Sequence, residues 1–355
     1  MVRVTSEVDV VVVGGRIAGC LTAIRLADRG VSVRLLESRD FPSDTLSTHF
    51  FRGDGLVRSL DEVGVLDEVL ATGAPPLTCE YFSVDGSPFE QGPPQEPGSV
   101  GYCLSVRRST LDVILARLAA KSGVDLRTRT RVTDIVTRDG VCVGVRDERG
   151  TVHRAQVVVG ADGRRSTIAR LVGAADEERH PPARAMYYRY ATGWRSPAAI
   201  GPEFALDGDC FSYVFPSDAE VACLAVSIPV AHHELAHGDA AGHLMQTFRR
   251  NPQTADRIGD IEWASGIYTG LPADSVWSEP VGPGWALVGD AGTAQDPWAG
   301  LGMDTAARQA EAFVEALTAS PDDWHDSYTR LRRDRTYPGY EETTRLATDL
   351  RKLLG

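Results

Sequence analysis

The chain has 355 residues, 43% hydrophobic and 24% charged, with a formal net charge of -12. This length supports one large domain or two interleaved ones, and the acidic balance argues against a protein that grips phosphate backbones through clustered Lys and Arg. No apolar run approaches the ~18 residues of a membrane span, so neither a nucleic acid nor a membrane is an expected partner.

The six cysteines, Cys20, Cys79, Cys103, Cys142, Cys210 and Cys223, are dispersed with no C-x-x-C pair. They read as reduced thiols of a cytoplasmic protein rather than a disulfide framework or a zinc ribbon. No leader pattern precedes the first strand. Gly86 to Gly98, rich in Pro and Gly, reads as a loop. The basic run Arg330 to Arg335, near the C-terminal end, reads as a solvated helix face.

In chain order, Val8 to Val13 comes first, an apolar run expected of a strand buried on both faces of a parallel sheet. Gly14-Gly15-Arg16-Ile17-Ala18-Gly19 follows it and opens a helix with Ile17, Cys20, Leu21 and Ile24 on one face. Gly30 supplies the stop, and Val31, Val33 and Leu35 form a second strand that delivers Glu37, with Ser38 and Arg39 beyond it. A strand, glycine turn, helix and acid in this order make a dinucleotide unit. Gly14 permits the turn, Gly15 and Ala18 lie at its helix, and the helix N-terminus offers N–H groups and a positive dipole end to a diphosphate. Glu37 is placed to accept ribose hydroxyls. Arg16 stands where the fingerprint has its second glycine; a side chain is tolerable there if it points away, and its charge would suit phosphates.

Two later stretches decide which dinucleotide. Val157-Val158-Val159-Gly160-Ala161-Asp162-Gly163 is a buried strand that breaks at Asp-Gly into a helix. Trp285 to Val288 runs into Gly289-Asp290-Ala291. Pro297, Gly300, Leu301 and Gly302 then lead to a helix with Met303, Ala306, Ala307, Ala310, Phe313 and Leu317 on one face. A helix that starts on glycines can aim its dipole and free N–H groups at negative charge on a bound ligand, worth ~0.3–2 kcal/mol.

Together these stretches resemble the three motifs of the flavoprotein monooxygenases with the aromatic-hydroxylase (p-hydroxybenzoate hydroxylase-like) fold, near its halogenase and geranylgeranyl-reductase-like branches. The resemblance implies an α/β protein. Its Rossmann-type FAD-binding domain would be built from residues 1–72, 100–175 and 275–355, interleaved with a smaller β-sheet substrate domain at 73–99 and 176–274. Ala185 to Ala191 and Glu220 to Ile228 are strand-like runs suited to that smaller sheet. The resemblance places Asp290 on the flavin ribityl chain, Asp162 and Gly163 near the diphosphate, Arg108 on the cofactor and the Val132 backbone at the adenine. It also lays the segment Phe41 to His49 against the flavin ring. Thr48 is thereby a cofactor contact and His49 a candidate catalytic residue, with Tyr213, Pro297 and Trp298 as candidate substrate contacts. For His49 a packing role in a loop weighs equally; for Tyr213 and Trp298 core packing is the commoner role.

The implied activity is an FAD-dependent monooxygenase that puts one oxygen atom of O2 into a small organic substrate. Its reductant would be NAD(P)H bound transiently, or reduced flavin from a partner flavin reductase. A reductase or dehydrogenase without oxygenation is the alternative, and a non-catalytic flavin-binding protein is a third reading. Halogenation is not expected, because Lys121 and Lys352 are the only lysines and neither matches the lysine of that branch. The segment Phe41 to His49 also lacks the cysteine common in the reductase branch.

A rival from another class is present. His233-Glu234-Leu235-Ala236-His237 is a literal H-E-x-x-H, and His243 falls at the spacing of a third zinc ligand. Ala240 replaces the glycine that pattern requires, and the surrounding chain answers to a flavin. No metal is therefore expected, and the segment reads as a polar stretch of the substrate domain.

Overall fold

Val8–Val13 (β1) is flanked by parallel neighbours on both sides, Val33–Leu36 (β2) and Val152–Gly160. Its central valines, Val10 to Val12, are at most 1% exposed, which is why the run carries no polar alternation. Trp285–Leu287 pairs parallel with Val152–Gly160, and Asp125–Arg127 pairs parallel with β2. The registers Val13↔Leu36 and Val13↔Gly160 bring three strand ends to one edge, so the turns after them share a single rim. The computed structural model describes residues 7–43, 45–47, 49–92 and 100–354, without the side chains of Leu235 and His237.

Ile17–Ala27 (α1) packs back across the sheet. Val31 N–H bonds to the Leu26 carbonyl, and Gly30 takes φ +78° to end the helix. Two glycines set its position. A Cβ on Gly19 would lie 1.8 Å from the Gly14 carbonyl oxygen, and one on Gly14, at φ +105°, would lie 2.3 Å from the Ala161 oxygen. Helix, turn and neighbouring strand therefore meet backbone to backbone.

A second, mostly antiparallel sheet runs in the order Glu262–Trp263, Arg184–Thr192, Val221–Pro229, Cys210–Pro216, Glu203–Asp207, Glu80–Val84, Glu90–Gly92. Its pleat sorts the side chains. Met186, Tyr188 and Tyr190 face a core shared with Phe50 and Trp298, while Ala185, Tyr187 and Ala191 face Leu244 and Phe248 of the helix Ala240–Arg250. The expected loop Gly86 to Gly98 is in part a strand, since Glu90 to Gly92 pairs with Phe82 to Glu80; its residues 93–98 lie outside the described residues. A three-stranded sheet joins Asp176–His180 to Ser275–Ser278 and Thr293–Ala294.

The helices Gly302–Ala319 and Trp324–Ala347 close the molecule, with Phe313 set edge-on against Trp324 and Tyr328. Here the expectation of a uniformly solvated basic run fails. Arg332 is 1% exposed, because the helical period that turns Tyr328 and Thr336 inward turns it inward too. It donates to the Ser278 and Gly292 carbonyls at 2.9 and 2.7 Å and to Thr293 Oγ1 at 2.7 Å, and lies over the Trp277 ring. Burial pulls its pKa down to about 10. Replacing Arg332 by Leu strands three buried acceptors. We expect a loss of roughly 3 kcal/mol or more in chemical denaturation, against no measurable loss for Arg330→Ala. Equal stability of the two variants would contradict this role.

Candidate active site and cofactor cleft

The three glycine-bearing turns converge. Gly14 abuts the backbone of Ala161 and Asp162, and a Cβ on Gly289, at φ +66°, would lie 2.9 Å from the Ala18 Cβ. Residues separated by more than a hundred positions thus share one rim above the parallel strands.

At the end nearest α1, Glu37 is 5% exposed. Its carboxylate accepts from the Gly15 amide at 2.7 Å and the Arg39 amide at 2.8 Å, with the Ser38 hydroxyl at 3.2 Å. These contacts hold the acid beside the helix start and leave lone pairs for further donors. Arg16 points along the rim instead of away from it. It donates to Asp112 Oδ2 at 2.6 Å and to Ser43 Oγ at 3.2 Å, while Arg108 Nε donates to Asp112 Oδ1 at 2.9 Å. Asp112 is fully buried between the two guanidiniums. Asp162 reaches the rim through its backbone; its side chain caps the helix Thr167–Val172, accepting from Ser166 Oγ at 2.5 Å and Thr167 N–H at 2.6 Å. Burial raises its pKa against those bonds. Gly163 adopts φ +81° behind it. Val132 starts the strand Val132–Arg138, and its side chain joins the core with Val13 and Leu36.

At the opposite end, the Gly289 amide donates to Gln309 Oε1 at 2.9 Å, and Gln309 Nε2 donates to Thr293 at 2.9 Å and Thr336 at 3.1 Å. This clamp fixes Asp290. Its carboxylate has no hydrogen-bond partner among the described residues. Removal from water raises its pKa, opposed by the charges of Arg164 and Arg108. Gly300 takes φ +68°, Leu301 caps the following helix, and a Cβ on Gly302 would stand 3.8 Å from Asp290 Oδ1. Met303 and Asp304 complete the first turn. The fully enclosed Asp304 accepts from the Arg52 amide at 3.1 Å and the Leu56 amide at 2.8 Å, and burial pushes it up to about 7.

The segment before the two-residue strand Phe50–Phe51 lies between these ends. Ser47 donates its amide to the Tyr188 hydroxyl at 3.3 Å, and its Oγ lies 3.9 Å from Met303 Sδ. Thr48 lies outside the described residues. His49 is wholly buried at φ +63°, against Tyr190 at 5.5 Å and Tyr188 at 6.0 Å between ring centroids. The Arg108 amide donates to its Nδ1 at 3.1 Å, so the ring proton sits on Nε2, which has no partner among the described residues. Burial, then the Arg108 charge, lowers its pKa to about 3. Tyr268 stacks on Tyr188 at 4.7 Å and extends the aromatic wall. Tyr213 and Trp298 have their polar ends occupied within the protein: the tyrosine hydroxyl donates to the Trp298 carbonyl at 2.8 Å and the indole to Thr343 O at 2.9 Å. Pro297 is exposed.

The H-E-x-x-H segment is a single helical turn, His233–His237. The His233 ring stacks on Tyr187 and its Nδ1 lies 2.6 Å from the phenol oxygen, so that histidine is tied to the outer face of the second sheet.

Sequence reading missed Asp112, Asp304 and the tyrosines Tyr188, Tyr190 and Tyr268 as site residues. An acid in the first turn of an otherwise apolar helix face was the available signal for Asp304. The tyrosine alternation in Arg184–Thr192 was the signal for the wall.

His49 and Asp304 give the site opposite pH responses. His49's folded pKa of about 3 lies below its ordinary 6.5. Between those values the unfolded chain binds more protons, so this contribution to stability is lost as pH falls below about 6.5. Asp304, raised to about 7, contributes stability that is lost as pH rises towards and through 7. In melting curves between pH 7 and 5, His49→Gln is expected to lose stability less steeply than the parent chain. Identical slopes would contradict the buried neutral histidine.

The residues present fit a flavin dinucleotide: a cationic rim beside a helix start at one end, and a carboxylate with no partner among the described residues over a glycine-led helix start at the other. Comparison with known proteins agrees. The family described as an FAD binding domain matches residues 7–188, and the family described as FAD dependent oxidoreductase matches residues 108–294. A digeranylgeranylglycerophospholipid reductase of Methanocella arvoryzae is 26% identical over 306 residues, covering 84% of this chain and 74% of the relative. The ubiquinone hydroxylase UbiL of Rhodospirillum rubrum is 26% identical over 343 residues, covering 88% and 72%. The crystal structure of PqsL, a probable FAD-dependent monooxygenase from Pseudomonas aeruginosa, shares the fold with a TM-score of 0.82 at 22% identity, covering 97% of both chains. The chain belongs to the FAD-dependent oxidoreductases built on this FAD-binding domain.

Proposed function

We propose that the protein is a monooxygenase that places one oxygen atom of O2 in a small organic substrate. The observation that carries this reading is the aromatic wall. Tyr188 and Tyr268, stacked at 4.7 Å, adjoin Ser47, whose hydroxyl touches Met303 in the first turn of the flavin-facing helix. Aromatic side chains beside a flavin would exclude water and orient a planar apolar substrate. FAD, when bound, supplies the redox chemistry and the activation of oxygen.

The chain's own residues bind, orient and shield. Asp290 would accept hydrogen bonds from the ribityl hydroxyls, and the amides at Gly302 and Met303 would face the ring. His49 cannot act as a general base through Nδ1, which already accepts the Arg108 amide; its Nε2–H has no partner among the described residues and would be available as a donor. The reducing equivalents would come from NAD(P)H bound transiently or from a partner flavin reductase. A cytoplasmic location agrees with six free cysteines. The H-E-x-x-H segment has no part in this proposal.

A reductase acting without oxygen is the second reading, favoured by the relative from Methanocella. Against it stands the segment Phe41 to His49, where no thiol is available as a proton donor. Turnover under 18O2 separates the two. The monooxygenase reading expects one labelled oxygen atom in the product and one in water; an unlabelled product formed equally fast under argon would leave the reductase.

A further inference from the structure

We infer that Arg16, at the position where the dinucleotide fingerprint has a glycine, is a diphosphate-binding residue of the FAD site. The backbone conformation does not itself demand glycine here. Arg16 has φ -100° and ψ -163°, an extended conformation open to any residue, unlike Gly14 at φ +105° or Gly19 with its 1.8 Å approach.

The side chain is built into place. Its guanidinium reaches Asp112 at 2.6 Å, and Arg108 holds the other carboxylate oxygen at 2.9 Å. Asp112 is fully buried, whereas the Arg16 side chain keeps 22% of its surface exposed. Among the described residues, one carboxylate thus faces two guanidiniums. The Arg16 guanidinium stands beside the first turn of α1, whose amides and dipole favour the same anion. Cys20, one turn into α1, is fully enclosed among these charges, with Asp112, Glu37, Arg108 and Arg16 all acting on it. Among the described residues, the acid on the far side, Glu37, is committed to the Gly15 and Arg39 amides. A diphosphate is the part of FAD that carries matching charge. A planar guanidinium recognises phosphate oxygens with directed hydrogen bonds that a bare backbone at this position does not supply.

The same guanidinium donates to Ser43 at 3.2 Å, in the segment that continues to Ser47 and His49. His49 in turn accepts the Arg108 amide.

The alternative is that Arg16 is only a clip between α1, the helix Arg108–Lys121 and Ser43. Flavin-free full-length protein titrated with FAD, ADP and riboflavin distinguishes the two, using protein fluorescence for affinity. Arg16→Gly restores the fingerprint glycine and leaves Asp112 paired with Arg108. Arg16→Gln keeps a hydrogen-bonding side chain without the charge, and serves if the glycine variant melts early. Both variants are expected to bind FAD and ADP roughly tenfold to a hundredfold more weakly, the size of a lost charge-assisted contact. Riboflavin, which has no phosphate, should change by less than about twofold. The FAD loss should shrink as salt is raised. Unchanged or tighter FAD binding by Arg16→Gly would overturn the inference, as would equal losses for all three ligands.

Discussion

The approach of Gly19 to the Gly14 carbonyl, too close for a single methyl group, is the constraint on which the cleft depends. It seats α1 directly on the strand end, so the helix's first amides open at the sheet rim. The same turn lies against Ala161 and Asp162, and Ala18 lies against Gly289. Three stretches far apart in sequence are thereby positioned by close contacts at glycines, which leave little freedom for the groups they carry. A cofactor that spans the rim then meets a preorganised surface.

Charge is distributed unevenly along that surface. Near α1, two guanidiniums share Asp112, which favours an anion. Near the helix Gly302–Ala319, the acids Asp290 and Asp304 are both raised by burial, and His49 is held neutral. Under the proposed function, the end that would face the redox-active ring is therefore poorly solvated and carries little mobile charge. The polar networks around Gln309 and Arg332 hold the Gly-Asp turn through its backbone and Thr293. The cost of burying these groups is offset by their hydrogen bonds to the turn's carbonyls and hydroxyls.

Much of the frame was legible in the sequence because its determinants are local. An unbroken valine run, a glycine pair and an acid at the end of the next strand define the first unit, and all three motifs lie in the order of their elements. The side-chain partners were not legible. Asp112 meets Arg16 only because the helix Arg108–Lys121 crosses the start of α1, and sequence spacing does not encode that crossing. Arg332 looked like part of a solvated basic run until its helix was seen to pack against Trp277. Tyr213 and Trp298 have the composition of pocket residues, yet their polar atoms are satisfied by carbonyls inside the protein. The H-E-x-x-H segment matches a metal motif in letters, while His233 is stacked on Tyr187.

The account's central claim is that these turns form one FAD site in each chain. Flavin content of the purified protein, released by heat and identified by chromatography after incubation with excess FAD, tests it most directly. The account predicts FAD, not FMN, at one equivalent per chain, and a Gly19→Leu variant that retains little of it. A colourless parent protein, or equal flavin retention by that variant, would contradict it.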